Sequence, residues 1–112
     1  MMRLTFMDPG ALNARLTLED QANTSDGQGG ETINWVQVAG LWGAVKPVAD
    51  RFGEKGGAES AILTHRVTVR ARSDVRRGMR IVWQGRALLI RTVSDPDEAG
   101  RYLTCHCEEM SP

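Results

Sequence analysis

Strict alternation along AILTHRVTVRARS, residues 61–73, constrains the fold of this chain more than any other feature. One parity is apolar apart from a histidine and consists of Leu63, His65, Val67, Val69 and Ala71. The other is polar and consists of Thr64, Arg66, Thr68, Arg70 and Arg72. A period of two is typical of a β-strand with one buried face. The segment is therefore predicted to be a strand whose arginines lie on the outer face.

The rest of the chain also favours strands over helices. Strand patterns recur at 11–20, 32–48, 80–83, 87–93 and 101–109, and Gln84-Gly85 predicts a tight hairpin turn. Two glycine-rich polar segments, NTSDGQGGET at 23–32 and ADRFGEKGGAES at 49–60, read as long flexible loops. The pattern predicts about six strands without a long helix, in a small antiparallel barrel or sandwich.

Two tryptophans on the longest predicted strand raise a question of register. Trp35 and Trp42 do not share parity, so a regular strand would send them to opposite faces. An extra residue near Ala39-Gly40 would change the parity between them. We therefore expect a β-bulge there that brings both rings to the core.

Charge is balanced overall but segregated along the chain. The 112 residues carry 14 Lys and Arg against 14 Asp and Glu, which argues against a typical nucleic-acid binder. Residues 64–91 nevertheless hold eight arginines and one acid, Asp74. Such segregation suits complementary protein surfaces, although a solvated face or a phosphate contact stays open. The residues expected at a subunit interface are Arg66, Arg70, Arg72, Arg76 and Arg77.

No motif in the chain predicts catalysis, a metal site or a cofactor. Cys105, His106 and Cys107 do not give paired zinc ligands, because alternation turns the histidine away from the two thiols. A thiol nucleophile would need a base such as His65, and no oxyanion motif accompanies it. The glycines fit no phosphate-binding loop. The thiols are expected to be reduced, and no apolar run approaches membrane-spanning length.

Four segments in order resemble a known family. They are GALNARLTLEDQ at 10–21, SDGQGGETINWVQVAGLWGAVKPV at 25–48, THRVTVR at 64–70 and GMRIVWQGRALLIRTVSDPDEAGRYLTCHCEE at 78–109. Together they resemble the stopper-type head completion proteins that join heads to tails in long-tailed bacteriophages and in phage-derived gene transfer particles. No single motif is decisive, and the ordered set carries the resemblance over nearly the whole chain.

The resemblance implies a fold, a place and a set of partners. The fold would be all-β, a small antiparallel β-barrel of about six strands with two long flexible loops, formed by residues 10–112 after an N-terminal arm at 1–9. A homo-oligomeric ring, non-enzymatic and without cofactor, would sit at the head-tail interface of the virion after assembly in the host bacterial cytoplasm. It would lie between the portal and adaptor proteins and the tail terminator or tail tube, continuing the DNA channel, retaining packaged double-stranded DNA and docking the tail.

The resemblance also assigns a role to the second glycine-rich segment. In stopper-type members the long loop after the tryptophan strand projects into the channel, and here it maps to residues 49–60. The channel-loop residues would be Asp50, Arg51, Phe52, Gly53, Glu54, Lys55, Gly56 and Gly57. Their mixed charge would attract phosphate weakly, as suits a channel through which DNA must pass.

Two other functions stay open from the sequence alone. One is a tail terminator or another ring protein of the same particle, which shares small β architecture. The other is a nucleic-acid-binding barrel of the OB type that uses the arginine strand around Arg66 and Arg70.

Overall fold

The computed structural model describes residues 11–25, 27, 30–52, 61–96 and 98–110. It contains six strands in this part of the chain, and all strand pairs are antiparallel. Their bounds are β1 (Ala14–Ser25), β2 (Glu31–Phe52), β3 (Ala61–Arg70), β4 (Arg80–Trp83), β5 (Arg86–Ser94) and β6 (Tyr102–Glu109). The sheet closes in the order β1-β2-β3-β6-β5-β4, and β4 pairs back onto β1. The predicted all-β barrel is thus confirmed.

Strand β2 connects the two halves of the barrel. Its residues up to Gly43 pair with β1, and its residues from Gly43 onward pair with β3. A Cβ on Gly43 would come within 2.5 Å of Leu16 Cδ1 and 2.8 Å of the Thr68 carbonyl oxygen. Only glycine therefore lets β1 and β3 approach β2 this closely at the point where its partner changes.

The core lies inside the closed sheet and follows the predicted alternation. The inward side chains of β3 are buried, and Val67 and Val69 are at most 1% exposed. They pack in one cluster with Leu18, Ile81 and Leu88, which β1, β4 and β5 supply. Five strands contribute fully buried side chains, so removal of apolar surface from water is the main stabilising term.

One end of the barrel is closed by the segment between β3 and β4. Val75 and Met79 from this segment are buried in the core. The amide of Gly78 donates to the Ile90 carbonyl at 3.0 Å, and the Ile90 amide donates to the Met79 carbonyl at 2.9 Å. Gly78 has φ of 91°, a left-handed conformation that favours glycine. The segment is thereby fixed to β5.

Both predicted long loops are shorter than the sequence suggested. β1 and β2 pair as far as Ser25↔Glu31, and β2 and β3 pair as far as Phe52↔Ala61. The polar, glycine-rich composition near these ends is typical of loops, whereas the backbone pairing continues into it. Asp50, Arg51 and Phe52 thus lie in β2, whereas Gly53, Glu54, Lys55, Gly56 and Gly57 lie outside the described residues.

The expected bulge is present, but the tryptophans are not in the core. The register shifts so that Leu18 faces Ala39 whereas Glu19 faces Gln37, leaving Val38 as the extra residue. This does bring both rings to one face, and that face is the outer one. Trp42 is 55% exposed, and the Arg80 guanidinium carbon lies 4.5 Å from the Trp35 ring centroid.

The two strand ends form two-stranded ribbons that leave the barrel in opposite directions along β2. We call residues 20–25 with 31–36 the β1–β2 ribbon, and residues 48–52 with 61–64 the β2–β3 ribbon. β4 pairs with β1 only up to Glu19, and β6 pairs with β3 only from His65. The molecule is accordingly elongated, with principal extents of 57, 37 and 24 Å.

Candidate functional site

The predicted channel segment, residues 49–60, begins in the β2–β3 ribbon and continues beyond Phe52. β2 pairs with β3 through Asp50↔Leu63, Arg51↔Ile62 and Phe52↔Ala61 after an irregularity beyond Pro47. Because no described third strand flanks this ribbon, its end is offset from the barrel body. The polar, glycine-rich stretch between Phe52 and Ala61 is thus connected to the barrel by a paired, extended stem.

The outer face of β3 carries the first part of the predicted interface. Arg66 and Arg70 point away from the core, as alternation required, and Arg70 is exposed. The Arg70 guanidinium carbon lies 6.0 Å from the ring centroid of Tyr102, its cross-strand partner. A cation at this distance from an aromatic face is weakly held, so Arg70 keeps an accessible charge.

A basic row crosses three strands at the level of Arg66. Its cross-strand partners are Lys46 on β2 and His106 on β6. Like charges placed directly opposite one another destabilise a sheet, and a basic pair at Lys46 and Arg66 therefore favours an anionic partner. The sequence did not reveal this row, because it depends on strand register rather than on spacing along the chain.

The basic row lines a concavity of about 540 Å³ on the outside of the barrel. Thr68 and Thr104 form its floor and are buried although they face outward. Ala11 and Pro96 lie at its margin. The surface is therefore a shallow basic hollow rather than a flat solvated strand face.

The remaining predicted interface arginines lie in the segment that closes the barrel. Arg72 makes two hydrogen bonds of 2.9 Å to the carboxylate of Asp74, and Arg76 contacts Asp20 on β1 at 2.5 Å. Arg77 is exposed in the same segment. The hydrogen bond from Arg72 lowers the pKa of Asp74. Both Arg72 and Arg76 are thus held by acids of the same chain.

Other arginines of the basic stretch also pair internally. Arg80 Nε lies 2.6 Å from Glu19, Arg86 Nη2 2.8 Å from Glu109, and Arg91 3.7 Å from Glu108. Acids outside the arginine stretch, namely Glu19, Asp20, Glu108 and Glu109, therefore neutralise much of it within one subunit. The proximity of these acids to the arginines could not be predicted without the strand pairing of the closed barrel.

The cysteines are part of the core. Cys105 and Cys107 are free thiols with no exposed surface, and burial raises the pKa of Cys105 to about 12. Burial, with a smaller contribution from Cys105, also raises the pKa of Cys107. Such thiols are neutral at physiological pH and chemically inert. No group of three potential metal ligands occurs in the part of the chain that the structure describes.

His65 lies at the rim of the core. Its Nδ1 is 2.9 Å from the Thr64 hydroxyl, and its ring meets Trp83 edge-on at 5.9 Å. Burial lowers its pKa, and nearby Arg86 lowers it further, whereas Glu109 opposes the shift. His65 therefore packs as a neutral side chain, and no nucleophile faces it: the adjacent cysteine thiols are protonated.

Sequence reasoning missed the apolar surface of β2 and the β1–β2 ribbon. Exposed large hydrophobic side chains in the described part of the chain lie only on β2 and β3: Ile33, Val36, Val38, Trp42 and Ile62. Four of them precede Gly43 on β2. The available signal was the ten-residue run without charge from Ile33 to Trp42, of which only the two tryptophans had been expected in the core.

Comparison with known proteins identifies the family. The family model for phage head completion proteins matches residues 7–110. This chain belongs to the phage head completion protein family. The resemblance found in the sequence is thereby confirmed, and the head completion protein is a structural protein of the virion.

Solved structures support the assignment. A chain from the virion of a native gene transfer agent particle is 25% identical, with a TM-score of 0.65 over 89% of this chain and 96% of that chain. A Shigella flexneri 2a protein, determined in solution, is 30% identical, with a TM-score of 0.70 over 94% of this chain and 98% of that chain. No curated protein matches this head completion protein in sequence. No described helix is long and apolar enough to cross a membrane.

Proposed function

We propose that this head completion protein is a stopper-type connector. It forms a homo-oligomeric ring between the portal and adaptor proteins and the tail terminator or tail tube, continues the DNA channel, retains packaged DNA and docks the tail without catalysing a reaction. The observation that carries the proposal is the family match over residues 7–110, joined to a barrel with a long β2–β3 ribbon.

The β2–β3 ribbon supports a channel role for the segment that follows it. Asp50, Arg51 and Phe52 continue β2 past the last β6 contact of β3, so they extend the stem rather than form the tip. The tip segment, Gly53 to Gly57, combines one acid and one base with three glycines. Such a segment can approach DNA without strong phosphate attraction and can change backbone conformation at low cost.

The basic row supports a subunit contact on the outer face of β3. Arg66 and Arg70 face outward beside Lys46, and a carboxylate from a neighbouring copy would relieve the repulsion within the row. Arg72, Arg76 and Arg77 follow in the closing segment, where Arg76 reaches Asp20 on β1. Because Arg72 and Arg76 already pair with acids of their own chain, Arg66 and Arg70 are the stronger contributors.

The internal ion pairs count against the nucleic-acid-binding alternative. Carboxylates of the same chain lie against Arg72, Arg76, Arg80 and Arg86. A surface that tracks phosphates gains affinity from cations that release counterions on binding, and these four cations are already partnered. Short duplex DNA at low salt should therefore bind weakly; tight, salt-sensitive binding would favour the OB-type alternative.

Particles assembled without this protein test the proposed role. We expect filled heads that lack joined tails and release their DNA to nuclease, with wild-type protein restoring both properties. Replacement of Gly53–Ser60 by a short Gly-Ser linker should restore tail joining but not nuclease protection. Normal tailed, nuclease-resistant particles in the absence of the protein would contradict the proposal.

The position in the particle separates a connector from a tail terminator. In an electron-microscopy reconstruction, a stopper ring lies directly below the portal and adaptor, with the β2–β3 ribbon toward the channel axis. Density at the far boundary of the tail tube would identify a terminator instead. A ribbon on the outer surface of the particle would exclude the assigned channel role of residues 49–60.

Charge reversal tests the subunit contact. Arg70→Glu should reduce the assembled fraction in native mass spectrometry, because it places an acid where the row requires a base. Gln84→Glu adds an acid at an exposed position of the β4–β5 turn, away from both the basic row and Trp42, and serves as the control. Equal assembly of the two variants would remove this face of β3 from the interface.

A further inference from the structure

Strand β2 has two hydrogen-bonding edges over residues 35–42. The near edge pairs with β1, and the far edge faces away from β1. Among the described strands, β3 joins the far edge only from Gly43 onward. This leaves the far edge without a described strand partner over about 25 Å, at roughly 3.3 Å per residue. A strand edge of this kind is a template for another strand.

The side chains on this stretch do not protect it. Natural edge strands usually carry charges or prolines that prevent pairing, yet the run from Ile33 to Trp42 has neither. Val36 is 46% exposed, Val38 41% and Trp42 55%. An exposed, uncharged, apolar edge is expected where a partner covers it in the assembled state.

The same ribbon has a second accessible edge on β1. β4 pairs with β1 no further than Glu19, and the closing segment reaches β1 through Asp20 and through Gln21, whose side-chain amide donates to the Gly78 carbonyl at 3.1 Å. Beyond these contacts, Ala22–Ser25 pairs only with β2 among the described strands. Among the described strands, each subunit therefore has two edges without a strand partner: residues 22–25 of β1 and residues 35–42 of β2. They lie on opposite sides of the β1–β2 pair.

We propose that the β1–β2 ribbons of neighbouring copies pair head-to-tail, with the β2 edge at 35–42 of one copy receiving the β1 edge at 22–25 of the next. A small rotation about the ring axis changes the strand directions little, even for strands tilted to that axis, so every added pair is antiparallel, as within the ribbon. The occupant is a second copy because the same chain supplies both complementary edges, which is the requirement for a heterologous contact that closes into a ring.

The resulting structure is a collar of alternating β1 and β2 strands at one end of the ring. The stagger between residues 35–42 and residues 22–25 is the offset that tilted strands require when a sheet closes on itself. Strand addition covers Val36 and Val38 on both faces of the ribbon and satisfies the edge amides and carbonyls. This inference deepens the proposed connector function and depends on its ring.

Single-cysteine crosslinking identifies the contact. Ala22→Cys and Val36→Cys proteins are prepared separately, mixed, assembled and treated with a short bis-maleimide. The native Cys105 and Cys107 are fully buried and give a silent background, which wild-type protein verifies. We expect a crosslinked dimer from the mixture and neither variant alone to give one.

The other outcomes are informative in different ways. A dimer from Val36→Cys alone would show that two β2 edges meet symmetrically, and it would overturn the head-to-tail arrangement. A wild-type ring in native mass spectrometry without any crosslink from the mixture would reject the collar and leave the connector function intact. No oligomer of the wild-type protein, either free or in particles, would reject the ring on which both depend.

A blocking substitution gives an independent readout. Val36→Lys places a charge on the edge where a neighbour must dock, and the assembled fraction should fall by at least about tenfold. Gln84→Lys adds the same charge at an exposed site of the β4–β5 turn and should assemble normally. The melting temperatures of the two unassembled proteins should agree within a few degrees, since neither site is in the core; full assembly of Val36→Lys would refute the collar.

Discussion

Strands β1 and β2 run through both the barrel body and the β1–β2 ribbon, but their surroundings differ in the two regions. In the body, Leu16 and Leu18 face inward and are at most 3% exposed, and β1 has a partner on each side from Thr17 to Glu19. In the ribbon, β1 and β2 have no other strand partner among the described strands, and Ile33 is 57% exposed. The barrel body is thus stabilised by its own buried core, whereas apolar side chains at the ribbon remain exposed and can contact another molecule.

Truncation of one isoleucine to alanine in each region tests this difference most directly. Ile81→Ala removes a side chain with no exposed surface and should cost about 2–5 kcal/mol of unfolding free energy through lost burial and a cavity. Ile33→Ala should stay within about 0.5 kcal/mol in the unassembled protein. Urea unfolding followed by tryptophan fluorescence measures both, and equal losses would show that the ribbon belongs to the folding core.

A second test compares two glycines of β2. Gly43→Ala forces a Cβ against the Thr68 carbonyl and should cost about 1–3 kcal/mol, because backbone on both sides is fixed by strand pairing. Gly40→Ala meets nothing within 4 Å and should be neutral within about 0.5 kcal/mol. Thermal unfolding of the two variants measures the difference in stability. A Gly43→Ala protein as stable as Gly40→Ala would mean that β2 can separate from β3 at little cost in free energy.

A third test concerns the two arginine–tryptophan contacts of the outer face. Arg80 lies over Trp35 at 4.5 Å and pairs with the partly buried Glu19, whereas Arg15 lies 5.4 Å from the more exposed Trp42. Arg80→Gln should therefore cost about 1 kcal/mol and Arg15→Gln less. Chemical denaturation of both variants at low and at high salt measures the difference, which would vanish if the Arg80 contacts were as solvated as those of Arg15.

The smallest expected effect is a pH dependence located at the rim of the body. The folded-state pKa of His65 is below its ordinary value of 6.5, so the unfolded chain binds more protons as the pH falls through that value. The melting temperature should therefore decrease between pH 7.5 and 5.5. His65→Gln should reduce that decrease, and His106→Gln should retain it; an unchanged slope in His65→Gln would assign the effect elsewhere. The ion pair that lowers the pKa of Glu109 acts in a more acidic range.

Much of the body could be predicted from sequence because one face of each strand is buried. Alternation at Val67 and Val69 correctly assigned the faces of β3, and Gln84-Gly85 correctly marked the β4–β5 turn, with φ of 53° and 75°. Near the strand ends, by contrast, the glycine-rich polar composition is typical of loops even where the backbone remains paired. The ribbon ends near Ser25 and Phe52 were therefore assigned to loops.

The tryptophans and the basic row show a second limit. Parity predicted a bulge near Ala39-Gly40, and the structure has it at Val38. Parity alone does not state which face is inward, and the rings proved to be outside. Lys46, Arg66 and His106 are far apart in sequence and meet only through strand register. The family resemblance supplied the function, whereas the surfaces that could perform it required the pairing of the strands.

Strand β2 has a mechanical consequence that follows from its 22 continuous residues. Both ribbons are ends of this one extended segment, and an extended backbone cannot lengthen appreciably under tension. A pull on the end near Phe52 is therefore transmitted through Gly43 to the end near Glu31 as a displacement along the strand axis. The proposed channel contact at one end and the proposed contact between copies at the other would share one continuous strand, so a displacement of either end along the strand axis would move the other.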